Sequence, residues 1–312
     1  MTEACAVLAL MLVAGKGRAA VNRVSAAADQ MGVTVAEMLR LPQRELVAAL
    51  PVGLQDVAGH VLSCGPSERA RANRMLRDIA QSGAKAVLPS SADYPPALRA
   101  HLGLQAPPIL FIAGNPALLG TPCAGIVGAR QPTAAGRRLA AACARTFAQE
   151  GICVLSGGAA GIDTAAHSAA LRHGGCTLVV LPQGILTYRP PEDIAHAIRQ
   201  GSAALLSAFV PTARWGQAAA VTRNATIAAL SRIICVIEPR KTGGSIRTAR
   251  CALEQGKYVL SHTTAPNERL DPAQGWDRLV PLLDGSDTLD EERLLRIWRA
   301  ASDAPKGQRE LG

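Results

Sequence analysis

From Ala124 onwards, short apolar segments alternate with segments of helical periodicity. Strands joined by helices of about 10–12 residues are typical of a parallel sheet with helices on both faces. The predicted strands are 124–129, 152–155, 177–181, 204–208, 233–237 and 258–261. The predicted helices are 137–149, 162–172, 222–230 and 245–255. We therefore expect an α/β fold with a doubly wound, mostly parallel sheet, whose binding crevice lies beyond the carboxyl ends of the strands.

The residues before this sheet have a different pattern, of short helices interrupted by glycine and proline. An apolar opening run leads to Gly15-Lys16-Gly17 and a further helix, and Glu68–Ala80 forms an amphipathic stretch. A helix, a Gly-x-Gly turn and a second helix outline a helix-hairpin-helix, whose exposed amides can bind a phosphate. An ordinary connection between two helices fits the same residues, so both interpretations stay open here.

These patterns divide the chain into four predicted parts. Residues 1–85 are expected to form a small all-helical domain, of helix-hairpin-helix or SAM-like type. The proline-rich residues 86–122 form a connecting segment with the start of the core. Residues 123–284 form the predicted sheet domain, and residues 285–312 a charged C-terminal helix and tail. A binding crevice is therefore expected in the third part.

Apolar content and cysteine spacing exclude several classes of protein. The longest apolar run, Ala4–Ala14, has 11 residues, well short of the ~20 that span a bilayer. Eight cysteines are scattered without a Cys-x-x-Cys pair, which indicates reduced thiols rather than a disulfide framework or a zinc site. We therefore expect a cytoplasmic protein with no membrane association and no bound metal.

The positive charge is concentrated in the part of the chain that carries the sheet. Residues 111–265 contain 15 Lys and Arg against 6 Asp and Glu, and the whole chain has a net charge of +9. A basic surface attracts polyanions such as nucleic acids and nucleotides. A solubilising arginine surface would give the same composition, so charge alone leaves both explanations open.

The most specific local motif is the glycine-rich segment Ser156–Asp163, which joins a predicted strand to a predicted helix. Glycines let backbone amides approach an anion, and a helix N-terminus adds partial positive charge. The amides of Gly157 and Gly158 are therefore candidate phosphate ligands, although a tight turn without a ligand is the alternative. The spacing differs from the Gly-x-Gly-x-x-Gly of dinucleotide sites, and no acidic residue follows the next strand. We expect no NAD or ATP cofactor.

Other predicted strand ends carry basic residues and glycines that would meet this turn at one rim of the sheet. They are Arg130 after the first strand, Arg189 after the third, Arg223 and Asn224 in a helix start, and Lys241, Gly244 and Ser245 after the fifth. Guanidinium groups and bare amides together suit the phosphate backbone of a nucleic acid. Each residue alone also fits a surface arginine or a helix cap, so the convergence is what favours a binding site.

Candidates for acid–base chemistry are few. Asp163 and His167 lie one helical turn apart, which fits a structural hydrogen bond better than a catalytic pair. Glu238 ends an apolar strand and is the one carboxylate positioned to act on a ligand. Aromatic residues make up only 3% of the chain, which argues against base-stacking platforms. We therefore expect binding through phosphates, with no catalytic residue.

Several blocks of sequence follow one another in an order typical of one family. They are Asp93-Tyr94-Pro95, Ile126–Arg130, SGGAAGIDTAAHSAAL (156–171), RNATIAALS (223–231) and Val236–Glu238 followed by Gly243-Gly244-Ser245. Together they resemble the DprA/Smf family of bacterial DNA-processing proteins, which handle incoming single-stranded DNA during transformation. The resemblance covers about residues 90–262.

The resemblance implies an extended Rossmann-like core that binds single-stranded DNA, forms a homodimer and helps to load the RecA recombinase without catalysing a reaction. It assigns DNA contacts to Arg130, Arg189, Arg223, Asn224 and the amides of Gly157 and Gly158. The chain departs from the family at Ala160, where an arginine is usual. We also expect no winged-helix domain after the core, although many members carry one.

A second function class stays open. Nucleotide phosphoribohydrolases have a related fold, with a glycine-rich phosphate turn and a glutamate near a second glycine loop. Here Ser156–Gly161 would bind the phosphate, and Glu238 would face Gly243-Gly244. Such a chain would be a nucleotide sensor or an enzyme that hydrolyses an N-glycosidic bond, and loss of turnover in Glu238→Gln would favour it.

Overall fold

A computed structural model describes residues 1–240, 243–262, 277–283 and 288–303. In this part of the chain the predicted α/β class is confirmed, because helices accompany a mostly parallel sheet of nine strands. The strands are β1 (Lys85–Val87), β2 (Leu110–Gly114), β3 (Cys123–Gly128), β4 (Cys153–Ser156), β5 (Thr177–Leu181), β6 (Ala203–Ser207), β7 (Ser231–Ile237), β8 (Tyr258–His262) and β9 (Leu279–Pro281).

Thirteen α-helices lie in the same ranges. They are α1 (Glu3–Met11), α2 (Arg18–Met31), α3 (Val35–Met38), α4 (Gln43–Ala49), α5 (Gln55–Leu62), α6 (Pro66–Gln81), α7 (Pro96–Leu102), α8 (Ala134–Gln149), α9 (Ile162–Arg172), α10 (Glu192–Arg199), α11 (Gln217–Leu230), α12 (Gly244–Glu254) and α13 (Glu291–Asp303).

The sheet has the strand order β1-β2-β6-β5-β4-β3-β7-β8-β9. The pairs among β3, β4, β5, β7, β8 and β9 are parallel, whereas β1, β2 and β6 pair antiparallel. The sequence pattern misses β1, β2 and β9. β1 and β9 have three residues each, too few to show a period of two, and β2 lies in the segment whose prolines suggest a connection.

The chain divides into two compact units. The first unit contains residues 1–120 and 180–226, which include the N-terminal helices, β1, β2 and β6. The second unit contains residues 121–179 and 227–312, which include β3, β4, β7, β8 and β9. The division into four domains at residues 85, 122 and 284 stays a prediction.

The core of the second unit lies between the sheet and three helices, α8, α9 and α13. Alanines dominate the facing sides of α8 and α9, and Ala140, Ala144 and Ala166 are fully buried. Small side chains let the two helices pack closely and leave the larger volume to Phe147, whose ring centroid lies 5.9 Å from that of Trp298 on α13. The helices cover this face of the apolar strands, so a binding site is expected at the loops that follow the strands.

The first unit contains the predicted helix, Gly-x-Gly turn and second helix, as α1, residues 12–17 and α2. Arg18, at the start of α2, donates a hydrogen bond to the carbonyl of Ala208 at 3.0 Å. Its guanidinium also lies 5.1 Å from the ring centroid of Phe209, and burial lowers the pKa of Arg18 to about 10. Arg18 thus ties α2 to the segment after β6 in the same unit.

The apolar opening helix is an interior element. Residues Cys5–Leu10 of α1 are buried, and the Glu3 carboxylate accepts hydrogen bonds from the amides of Val35 and Ala36 at the start of α3. Across the ranges given above, no helix is both long and apolar enough to cross a membrane. The apolar character of α1 is therefore explained by packing inside the first unit.

Candidate nucleic-acid interface

The glycine-rich turn joins β4 to α9 and is closed by a carboxylate of its own helix. Oδ2 of Asp163 accepts hydrogen bonds from the amides of Gly157 at 3.1 Å and Ala159 at 3.2 Å. The hydroxyl of Ser156 donates to the carbonyl of Ile126 on β3 at 2.5 Å. Hydrogen bonds within the chain therefore hold the turn, and the Gly157 amide already has an anionic partner.

Gly161 holds the end of this turn against the residues that follow β3. Its backbone angle φ is +93°, a value that residues other than glycine rarely adopt. A Cβ atom at Gly161 would lie 2.3 Å from the carbonyl oxygen of Ala129 and 2.6 Å from that of Arg130. The Ile162 amide donates to the same Ala129 oxygen at 3.1 Å. The structure thus brings Arg130 and the turn together, as the sequence predicts.

Arg130 and Gly158 are more accessible to solvent than Gly157 at this point. Arg130 is exposed, Gly158 is half-buried and Gly157 is buried. Neither the Arg130 guanidinium nor the Gly158 amide donates to any residue in the described ranges. One guanidinium and one amide therefore stay available beside the turn in the second unit.

Glu238, at the end of β7, lies over the N-terminus of α8. Its carboxylate accepts hydrogen bonds from the Thr133 amide at 2.8 Å and from the Thr133 hydroxyl. That hydroxyl caps α8 by accepting from the Gly136 amide at 3.0 Å. A Cβ at Gly136 would lie 2.6 Å from the Glu238 carboxyl carbon, so glycine leaves room for this contact. The contact with Thr133 is not predicted from the sequence, which instead suggests that Glu238 acts on a ligand.

Three of the predicted site residues lie in the loop after Glu238 and in the first turn of the helix that follows it. Gly244 is exposed and Ser245 is half-buried, and both lie in the first turn of α12. Arg240 is exposed, and its Nη2 donates to Oε1 of Gln131 at 3.4 Å. Lys241 lies outside the described residues. The described part of this loop is therefore joined to the segment after β3.

The first unit has its own basic loop, formed by residues 183–189 and 210–216. The Gly184 amide donates to the Ala213 carbonyl at 2.8 Å, and the Thr187 hydroxyl donates to the same carbonyl at 3.0 Å. Arg189 and Arg214 are exposed at this loop. Trp215 is 54% exposed, so its indole is accessible to a ligand. Arg214 and Trp215 are not among the residues predicted from the sequence, although a tryptophan next to an arginine in a segment without helical or strand periodicity is a signal for them.

The Arg-Asn pair occupies a different setting from the one that its motif suggests. Arg223 is 8% exposed and Asn224 is 4% exposed, and both lie on α11. Nη1 of Arg223 donates to the carbonyl of Val180 on β5 at 2.7 Å. The Arg223 side chain thus holds the end of β5, and a contact between Arg223 or Asn224 and a phosphate stays a prediction.

The histidine of the motif has a structural partner. Nδ1 of His167 lies 2.6 Å from the Thr177 hydroxyl, which itself donates to the Val154 carbonyl at 2.7 Å. Because that hydroxyl proton is committed to Val154, His167 must carry its proton on Nδ1 and donate it to Thr177. Within the described ranges, no group of three or more His, Cys, Asp or Glu side chains is arranged to hold a metal ion.

Comparisons with known proteins find relatives among DNA-processing proteins. Protein Smf of Escherichia coli is 34% identical over 181 residues, which cover 56% of this chain and 47% of Smf. DNA processing protein DprA of Bacillus subtilis is 31% identical over 204 residues, which cover 65% of this chain and 67% of the relative. The chain thus spans about half the length of the first relative and two thirds of the second.

Two solved structures share the fold. DNA processing protein A of Streptococcus pneumoniae superposes with a TM-score of 0.71 at 22% identity. The alignment covers 92% of this chain and 96% of the S. pneumoniae chain. DNA processing protein A of Helicobacter pylori, whose structure is described in terms of its single-stranded DNA binding mode, superposes with a TM-score of 0.56 at 21% identity. The alignment covers 68% of this chain and 96% of the H. pylori chain. The family model described as DNA recombination-mediator protein A matches residues 85–280. Because this match spans more than half of the 312 residues, the chain belongs to that family, the DprA/Smf DNA-processing proteins.

Proposed function

We propose that this chain is a non-catalytic single-stranded-DNA-binding protein of DNA processing and natural transformation. In this proposal it acts as a cytoplasmic homodimer and helps to load the RecA recombinase. The observation that carries the proposal is the exposed Arg130, whose backbone packs on Gly161 of the glycine turn. The H. pylori relative, described by its single-stranded DNA binding mode, supports the choice of ligand.

Phosphate binding at the turn would use two donors. Asp163 occupies the amides of Gly157 and Ala159, so the amide of Gly158 and the guanidinium of Arg130 remain. A guanidinium makes charge-assisted, bidentate hydrogen bonds with a phosphate, and a backbone amide adds a donor without losing side-chain entropy. These contacts are independent of the base sequence, which suits a protein that handles any single strand.

Replacing Arg130 by alanine is expected to weaken binding of single-stranded DNA about tenfold, because one charge-assisted phosphate contact is lost. The logarithm of the binding constant falls linearly with the logarithm of salt concentration, by about 0.7 per phosphate contact on a single strand. The slope should therefore flatten by about 0.7 in Arg130→Ala. Fluorescence anisotropy of a labelled oligonucleotide at several salt concentrations measures both quantities.

Arg172→Ala is the matched control for Arg130→Ala. Arg172 is exposed and ends α9, whereas the turn lies at the start of the same helix. The two variants lose the same charge, but an 11-residue helix separates the sites by about 16 Å. Arg172→Ala should keep the wild-type slope. If both variants flatten the slope equally, Arg130 contributes only general charge and the proposed site is wrong.

Trp215 adds a contact that the phosphate-based expectation lacks. The indole of Trp215 is exposed next to Arg214, and stacking of a base on it would contribute about 1–3 kcal/mol. Trp215→Ala should therefore weaken binding by roughly 5- to 150-fold, whereas Trp215→Phe should keep most of the affinity. The same anisotropy titration measures this.

A salt series separates the role of Trp215 from that of Arg130. Stacking involves no counterion release, so Trp215→Ala should lower the affinity at every salt concentration and leave the slope unchanged. Wild-type affinity in Trp215→Ala would exclude stacking but would leave the phosphate site at the turn intact.

A further inference from the structure

Three cysteines lie side by side at the amino ends of neighbouring strands in the second unit. Cys123 starts β3 and pairs in register with Cys153, which starts β4. Val154 pairs with Thr177, so Cys153 also lies beside Cys176, and the Val154 amide donates to the Cys176 carbonyl at 3.0 Å. Neighbouring strands lie about 4.8 Å apart, within the range of roughly 4.4–6.8 Å between Cα atoms in disulfides.

Cys153 lies between the other two cysteines, and its thiol interacts with each of them. Cys153 is fully buried and Cys123 is 5% exposed, whereas Cys176 is partly exposed. Only Cys176 therefore combines access from solvent with a neighbouring thiol, and Cys153 is that neighbour.

The local chemistry gives the two thiols different roles. The hydrogen bond from Cys153 lowers the pKa of Cys176 to about 7. The pKa of Cys153 is raised well above its usual value by its hydrogen bonds to Cys123 and Cys176 and by burial. The thiolate is the nucleophile. Cys176, with the lower pKa, is therefore the group that reacts with an external oxidant, and Cys153 remains a thiol until that reaction has occurred.

We propose that Cys176 and Cys153 form a peroxide-sensitive pair, in which hydrogen peroxide oxidises Cys176 and Cys153 then closes a disulfide between the start of β4 and the residue before β5. The Cys176 sulfur attacks one peroxide oxygen, the O–O bond breaks, and water leaves with the second oxygen and a proton. The Cys153 sulfur then attacks the sulfur of the resulting Cys176 sulfenic acid, so that the S–S bond forms, the S–O bond breaks and the hydroxyl leaves. The Cys153 proton leaves with that hydroxyl as a second water, so two thiols are oxidised and one peroxide is reduced.

This modification lies away from the DNA-binding turn. The pair is at the amino end of β4, and the turn begins at Ser156, where β4 ends. Four residues of strand separate the two ends by about 10 Å. The disulfide is therefore an addition to the protein that leaves the Arg130 site in place, and we expect less than a twofold change in DNA affinity on oxidation.

The test treats the full chain with hydrogen peroxide and maps the disulfide by mass spectrometry of peptides prepared without reductant. We expect a Cys153–Cys176 linkage in the wild type and none in Cys176→Ser. In Cys153→Ser, Cys176 should stop at sulfenic acid, which dimedone traps. Circular dichroism checks that each variant is folded.

Cys251 provides the control, since it is the other partly exposed thiol. Cys251→Ser should form the Cys153–Cys176 disulfide at the wild-type rate. Should a Cys153→Ser chain not fold, the wild-type map and the alkylation rate of each cysteine at neutral pH decide the matter. A wild-type chain that first links Cys123 to Cys153, or that oxidises Cys251 before Cys176, overturns the proposal.

Discussion

Gly161→Ala is expected to destabilise the chain by about 3 kcal/mol or more, because two penalties combine at this position. Alanine at a φ of +93° is strained. The added methyl group would also lie 2.3 Å from the Ala129 carbonyl oxygen, and a backbone atom cannot move aside as a flexible side chain does. Urea unfolding followed by circular dichroism measures the loss.

Gly174→Ala separates the two penalties. Gly174 also has a positive φ, +73°, but a Cβ there would meet no atom within 4 Å. Its substitution should therefore cost about 1 kcal/mol, from backbone strain alone. Because Gly161 packs on the backbone of Arg130, Gly161→Ala should also weaken DNA binding, whereas Gly174→Ala should not. Equal losses of stability in the two variants would contradict the close approach at Gly161.

Lys257→Met should cost about 3–5 kcal/mol of folding free energy. Nζ of Lys257 donates to the carbonyl oxygens of Ala228 at 2.8 Å, Ala229 at 2.6 Å and Ser231 at 2.6 Å. Two of these carbonyls belong to the last turn of α11, where no helical amide is available. Methionine has a similar shape and no donor, so the variant leaves buried carbonyls without their cap. Lys85→Met, at an exposed lysine on β1, is the control and should stay within about 0.5 kcal/mol of wild type.

The pH dependence of the same variant tests the protonation state of Lys257. Burial lowers the pKa of Lys257 to about 7, against about 10.4 in an unfolded chain. Between these values the unfolded state binds more protons, so wild-type stability should rise relative to Lys257→Met as the pH increases from 7 towards 10. The three carbonyl oxygens around Nζ match the three protons of a charged ammonium group, so they act against the effect of burial. A stability that falls over this pH range would mean that the carbonyls raise the pKa of Lys257 by more than burial lowers it.

Much of the second unit is predictable from the sequence. Apolar runs mark β3, β4, β5, β7 and β8 to within two residues, and the predicted helix 162–172 coincides with α9. These elements are long or strongly apolar, so periodicity alone identifies them. β1 and β2 are less easily predicted, because β1 has only three residues and β2, although apolar, lies among prolines that suggest a connecting segment.

The candidate site is predictable as a set of loops but less so as a set of contacts. The strand-end argument finds Arg130 and the glycine turn, because the carboxyl ends of parallel strands meet at one edge. It does not find that Asp163 binds the Gly157 amide or that Arg223 donates to a buried carbonyl. A sequence shows which groups can make hydrogen bonds, but only the folded chain shows which partner comes within reach.

The Asp163 carboxylate has a consequence for how fast a strand can be captured. A glycine loop whose amides all waited for phosphate would sample many shapes, and each encounter would include the time and entropy needed to order it. Here the loop is already ordered by a resident anion of the chain. If the chain has the proposed function, its association with DNA should then be limited by diffusion and long-range attraction rather than by rearrangement.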